Sequence, residues 1–157
     1  MASLLLAVVT AACHSVDDTR IPALPVHIPF NTVGEWNIYG VSGALSWRQF
    51  IKSERQPEGF PYTEISATGF GGVLLVSDFD GAYRAYDLAC PVECKRDVRI
   101  IVDTDMFVGR CPVCGSTYDI FRVGNPLSGP AAEHSYGLTR YSVAYTPSST
   151  PYILIRQ

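Results

Sequence analysis

Charge is the first thing this sequence has little of. Asp, Glu, Lys and Arg make up 17% of its 157 residues, and the net charge is −3. Without a basic excess it lacks the electrostatic footprint of a nucleic-acid binder. There are three histidines and two tryptophans. No glycine-rich phosphate loop, His-Glu-x-x-His run or nucleophile–base pair occurs, so the common catalytic sets are excluded. The chain reads as a carrier or binding module without a catalytic set of its own. Its paired acids, Asp78/Asp80 and Asp103/Asp105, fall in turn-like stretches, where Asp is expected for its hydrogen bonds to the backbone. No apolar run is long enough to cross a bilayer as a mature helix. Internal repeats and low-complexity segments are absent too.

What is present is turn chemistry and short apolar runs. Thirteen Gly, eleven Pro and nine Tyr among such runs predict an all-β domain. Val73–Val76 reads as a buried strand, Asp78–Gly81 as its hairpin turn and Tyr83–Leu88 as the return strand. Val98–Val102 and Met106–Arg110 form a second pair, followed by a short strand at Tyr118–Phe121. Tyr141–Tyr145 and Tyr152–Ile155 close the chain around a turn at 146–151. Val26–Ile28 reads as an edge strand between prolines, with His27 facing solvent. Residues 31–72 are the hardest to read. Leu45–Lys52 is expected to make a turn or two of helix with Trp47, Phe50 and Ile51 inward. The rest is expected as long loops held by a satellite cluster of Trp36, Tyr39, Phe60 and Tyr62.

The N-terminus has its own signature. An apolar stretch, Leu4–Ala12, runs into small residues just before Cys13. This resembles the lipobox of bacterial lipoproteins. The resemblance implies cleavage before Cys13, acylation of its thiol and a lipid-anchored place in the cell envelope. Against it stands the missing basic n-region; the alternative is an incomplete signal peptide. The expected layout is a signal peptide at 1–12, a flexible polar tether at 13–25 and one domain at 26–157.

Chemistry concentrates between Tyr86 and Ala131. Two cysteine pairs, Cys90/Cys94 and Cys111/Cys114, each follow a strand-like run, and each first cysteine precedes a proline. A spacer at 95–110 separates the pairs. Two pairs joined by about 15–20 residues have four-ligand metal spacing. Turns after the prolines are expected to aim each pair one way, and the intervening hairpin to bring all four sulfurs together. Such a set suits tetrahedral zinc or an iron–sulfur cluster.

The motif order, AYDLACPVE, CPVCGSTYDIF, PLSGPA and GLTRYSV, resembles a Rieske-type ferredoxin domain from about Gly71 onward. The resemblance implies an antiparallel β-sandwich carrying a small cysteine-loop subdomain at about 86–131, like a rubredoxin or zinc ribbon. In that family a Cys-x-His loop and a Cys-x-x-His loop hold a [2Fe–2S] cluster. Here Val92 and Cys114 stand at the two histidine positions. None of His14, His27 and His134 falls in the motif. The resemblance further implies that Ser116 and Tyr118 hydrogen-bond to ligand sulfurs, and that Gly129-Pro130 packs over the site.

Three readings of the cysteines follow. In one, all four ligate a [2Fe–2S] cluster in an electron-transfer protein serving an unidentified redox partner. Two added thiolate charges would draw its potential toward about −400 mV, away from the roughly −150 to +300 mV of Rieske centres. Lys95, Arg96, Arg99 and Arg110 flank the cysteines, with Asp97, Asp103 and Asp105 beside them to balance the charge. In the second reading the cysteines hold structural zinc in a non-redox module. In the third they form disulfides, as exported thiols tend to.

Overall fold

The computed structural model describes residues 15–157. Cys13 and the signal-like stretch before it lie outside the described residues. The chain folds as β1 (Val26–Phe30), α1 (Val33–Tyr39), β2 (Trp47–Phe50), β3 (Ala67–Thr68), β4 (Val73–Ser77) and β5 (Tyr83–Asp87). Then come β6 (Ile101–Asp103), β7 (Val108–Arg110), β8 (Thr117–Tyr118), β9 (Pro126–Ser128), α2 (Pro130–His134), β10 (Arg140–Tyr145) and β11 (Ile153–Arg156).

Seven strands form one antiparallel sheet in the order β2-β4-β5-β10-β11-β1-β3. β10 is its corner. Arg140 and Tyr141 pair with β5, whereas Ser142–Tyr145 pair with β11. The sheet thereby folds into two facing halves, and its ends approach where Lys52 N–H reaches Thr68 Oγ1. The four remaining strands make a separate small sheet, β6-β7-β8-β9. This is the expected all-β sandwich with a cysteine-loop subdomain.

β4 explains how the two parts join. Its five residues are all buried, and successive side chains point to opposite faces. Val73 and Leu75 enter the sandwich core with Phe30, Phe50 and Ile155. Leu74 and Val76 enter a second core with Tyr86, Leu88, Cys90, Ile100, Cys111 and Tyr118. A strand covered on both sides has no polar face to show, hence the continuous apolar run. The small sheet and its cysteine loops sit on the outer face of β4 and β5.

Three regions depart from the sequence reading. Within Leu45–Lys52 the centre is a strand rather than a helical turn: β2 pairs with β4, burying Phe50 and exposing Trp47 at the edge. Tertiary pairing overrides local pattern here. Val33–Tyr39 is a helix where a loop was expected. Thr32 caps it by accepting from Glu35 N–H, while the Glu35 carboxylate accepts from Asn31 N–H. The aromatics expected as a satellite cluster belong to the main core, where Trp36 and Phe60 pack edge-on against Phe30. Finally, residues 15–25 do not hang free. Asp17 and Tyr136 form a parallel bridge, Ile21 is buried, and Asp18 pairs with Arg140 at 2.7 Å.

Candidate metal centre

Each cysteine loop is a closed turn at the end of a strand. β5 leads through Leu88 to Cys90, whose N–H donates to Val98 C=O at 2.9 Å. Ala89 bridges Arg99, and Cys94 N–H donates back to Cys90 C=O at 2.9 Å. The second loop repeats this plan. Cys111 N–H donates to Ser116 C=O, and Gly115 N–H donates to Cys111 C=O at 3.1 Å. Gly115 has φ +73°, the left-handed conformation that turns the chain out of the loop.

The structure brings three of the four sulfurs together. Cys90, Cys111 and Cys114 have their Sγ atoms within 4.8 Å of one another. Cys90 and Cys114 stand 3.7 Å apart. Cys90 and Cys111 are fully buried, and Cys114 lies at the edge of the cluster, half-buried. Cys94, expected to join them, does not. Its Sγ lies 3.1 Å from Pro91 C=O and 3.7 Å from Arg20 C=O. The cause is the spacing. Three residues separate Cys90 from Cys94, so Cys94 falls one place beyond the position of Cys114 and closes the turn itself, at φ +51°. It occupies the position that Gly115 fills in the second loop.

Polar neighbours favour negative charge on two of these sulfurs. The Tyr118 hydroxyl lies 3.6 Å from Cys90 Sγ, and the Ser116 hydroxyl 3.2 Å from Cys114 Sγ. Ser116 Oγ also accepts from Ala131 N–H at 3.0 Å, which ties the start of α2 to the site. A Cβ on Gly129 would come 3.0 Å from Ser116 Cα, and Gly129 has φ +73°, so the Gly129-Pro130 loop lies closely on Ser116. Burial pushes the Cys90 thiol up to about 12, against hydrogen bonds from the Glu93 and Val92 N–H groups and the Tyr118 hydroxyl. Burial also opposes ionisation of Cys114, but the Ser116 hydroxyl and N–H outweigh it and lower its pKa. Burial and then the Cys90 sulfur hold Tyr118 far above its ordinary value, so its hydroxyl keeps its proton and donates. An ion bound to these sulfurs would reverse the penalty on Cys90, because a coordinated thiol is deprotonated.

The three flanking arginines are engaged elsewhere. Arg110 pairs with Asp103 at 3.2 Å, and Arg99 with Glu54 at 2.6 Å. Arg96 lies over the Phe70 ring. His27 sits in β1, and His134 stacks on Tyr136 at the end of α2. Neither belongs to the cysteine group, so the two-Cys, two-His ligand set of a Rieske cluster does not fit this chain.

Sequence reasoning missed Asp87, the residue that aims the first loop. It is buried at the end of β5, and its carboxylate accepts four hydrogen bonds. The donors are the N–H groups of Phe70, Gly71 and Ala89 and the Tyr141 hydroxyl, at 2.6–2.9 Å. An acid closing an otherwise apolar strand just before Cys90 was the available signal.

No protein-family model matches the chain, and no curated protein matches it. Among solved structures it is similar to the crystal structure of the quaternary ammonium Rieske monooxygenase CntA in complex with an inhibitor. The TM-score is 0.51 at 12% identity, covering 83% of this chain and 31% of that one. The chain therefore spans about a third of that enzyme's chain. At this identity the likeness shows the fold, which is Rieske-like.

Proposed function

We propose that this protein is a Rieske-fold metal–thiolate module in which a single ion ties the two cysteine loops together and performs no catalysis. The observation that carries this reading is the compactness of the cysteine group, with all three sulfurs inside 4.8 Å. Ligands on one tetrahedral ion with bonds of about 2.3 Å stand roughly 3.8 Å apart. The 3.7 Å between Cys90 and Cys114 agrees with that edge. Zinc, or iron in the same geometry, suits a thiolate-rich tetrahedral set. Bound there, the ion would supply fold stability and hold the loops in register. Cys90 and Cys111 anchor it from below, while Ser116 and Tyr118 orient the sulfurs.

An all-thiolate [2Fe–2S] centre in an electron carrier is the second reading. It is favoured by the fold and by hydroxyls at two sulfurs. It needs four ligands shared between two irons, and Cys94 is not in the group of sulfurs that lie within 4.8 Å of one another. The lipobox-like run before Cys13 supports a lipid-anchored location in the envelope, which loss of membrane attachment in Cys13→Ser would test. Elemental and labile-sulfide analysis of protein purified without oxygen distinguishes the two cofactors. One metal per chain without sulfide supports a single ion. A brown protein with sulfide and an EPR signal on reduction supports the cluster.

A further inference from the structure

We infer that the fourth ligand of this ion is the carboxylate of Glu93 and that Cys94 stays outside the coordination shell. The inference rests on the single-ion reading above and goes beyond it to the composition of the site.

The two loops share the hydrogen bond that closes them, from the fourth residue after the first cysteine back to that cysteine. Cys90-Pro91-Val92-Glu93-Cys94 closes with Cys94 N–H on Cys90 C=O, and Cys111-Pro112-Val113-Cys114-Gly115 with Gly115 N–H on Cys111 C=O. In both, the residue that closes the turn has positive φ, +51° at Cys94 and +73° at Gly115. Cys90 thus corresponds to Cys111, Pro91 to Pro112, and Cys94 to Gly115. The counterpart of the ligand Cys114 is Glu93. Both turns contribute sulfurs to the cluster, and the Glu93 carboxylate lies outside the group that is already within 4.8 Å.

Three further observations agree. The described donors supply three ligands, one short of a tetrahedron. Glu93 is half-buried in the loop, and among the described residues its carboxylate has no hydrogen-bond or ion-pair partner. By contrast the Cys94 sulfur is already placed against Pro91 C=O and Arg20 C=O. A carboxylate is an ordinary zinc ligand at about 2.0–2.2 Å, and its longer side chain can fold back over the site. On binding, the thiol protons leave to solvent, and Glu93 enters as the carboxylate.

The test uses cobalt as a spectroscopic stand-in for zinc in the folded protein. Thiolate-to-cobalt charge-transfer absorption counts sulfurs, and competition with a chelator measures affinity. The wild type and Cys94→Ser should show equal thiolate bands and affinities within about two-fold. Glu93→Gln should weaken binding by at least about ten-fold with its thiolate band unchanged. Glu93→Cys in the Cys94→Ser background should add one thiolate's increment, because that side chain now matches Cys114. Loss of thiolate absorption in Cys94→Ser would overturn the inference by making Cys94 a ligand. Unchanged affinity in Glu93→Gln would overturn it in favour of solvent as the fourth ligand. A wild-type protein that takes no cobalt onto sulfur would overturn the single-ion reading together with it.

Discussion

At the residue scale, the three gathered cysteines differ in what they contribute. Cys111 is fully buried between both loops, and its loss should abolish metal binding outright. Cys111→Ser should retain no metal after gel filtration, as elemental analysis would read. Tyr118→Phe removes a hydroxyl 3.6 Å from Cys90 Sγ without removing a ligand. Its metal affinity should fall about 10-fold, since partners of ligand atoms are worth roughly 10–100-fold. Chelator competition measures this, and an unchanged affinity would show that the hydroxyl does not serve the sulfur. That cysteines from both loops gather was legible in the sequence. What could not be read was which cysteine stands apart. Spacing counts residues, and one extra residue in the first loop moves Cys94 from the ligand position to the closing position. Hydrogen-bond closure decides that, and it becomes visible only once the loop is built.

At the scale of elements, β5 and its Asp87 set the direction of the first loop. Replacing the carboxylate by an amide leaves an NH2 group facing N–H donors. Asp87→Asn should lose about 2 kcal/mol or more, because a buried donor without its acceptor costs roughly 1–3 kcal/mol. Urea unfolding of metal-free protein checks this apart from the metal. β4 was recognisable as buried from its unbroken apolar run, since coverage on both faces leaves no alternation. β2 was misread because its pattern of Trp47, Phe50 and Ile51 fits a helical stripe, and only pairing with β4 fixes it as a strand. The α1 helix did carry a signal, the Thr32-x-x-Glu35 box, obscured by glycines at 34 and 40. The acidic turns read correctly. Asp78 accepts from Asp80 and Ala82 N–H and pairs with Arg84. Burial works against these contacts, yet they hold its carboxyl below the ordinary value. A depressed folded pKa adds stability above the unfolded value near 4 and loses it as pH falls through the folded one. Asp78→Asn should therefore flatten the fall in stability below about pH 4, measured by denaturation across that range.

At the scale of the whole molecule, the ion would join a small sheet to a sandwich that already has its own core. The sandwich core contains no cysteine, whereas the second core is built around Cys90 and Cys111. Metal removal should loosen the cysteine subdomain and lower global stability without unfolding the sandwich. An ion present at 1,000 times its dissociation constant contributes about 4 kcal/mol. For a chain of this size that corresponds to a fall in Tm of roughly 10 °C on adding excess chelator. The loss should shrink as pH drops, because protons compete with the ion for the thiolates and a more weakly bound ion contributes less. A Tm indifferent to chelator would mean that no ion supports the fold. The claim beneath all of this is that one metal ion sits among sulfurs from both loops. X-ray absorption at the metal edge of the purified protein tests it directly. The account predicts a sulfur shell at about 2.3 Å and no metal neighbour. A second metal scatterer beside the first, or a shell without sulfur, would contradict it.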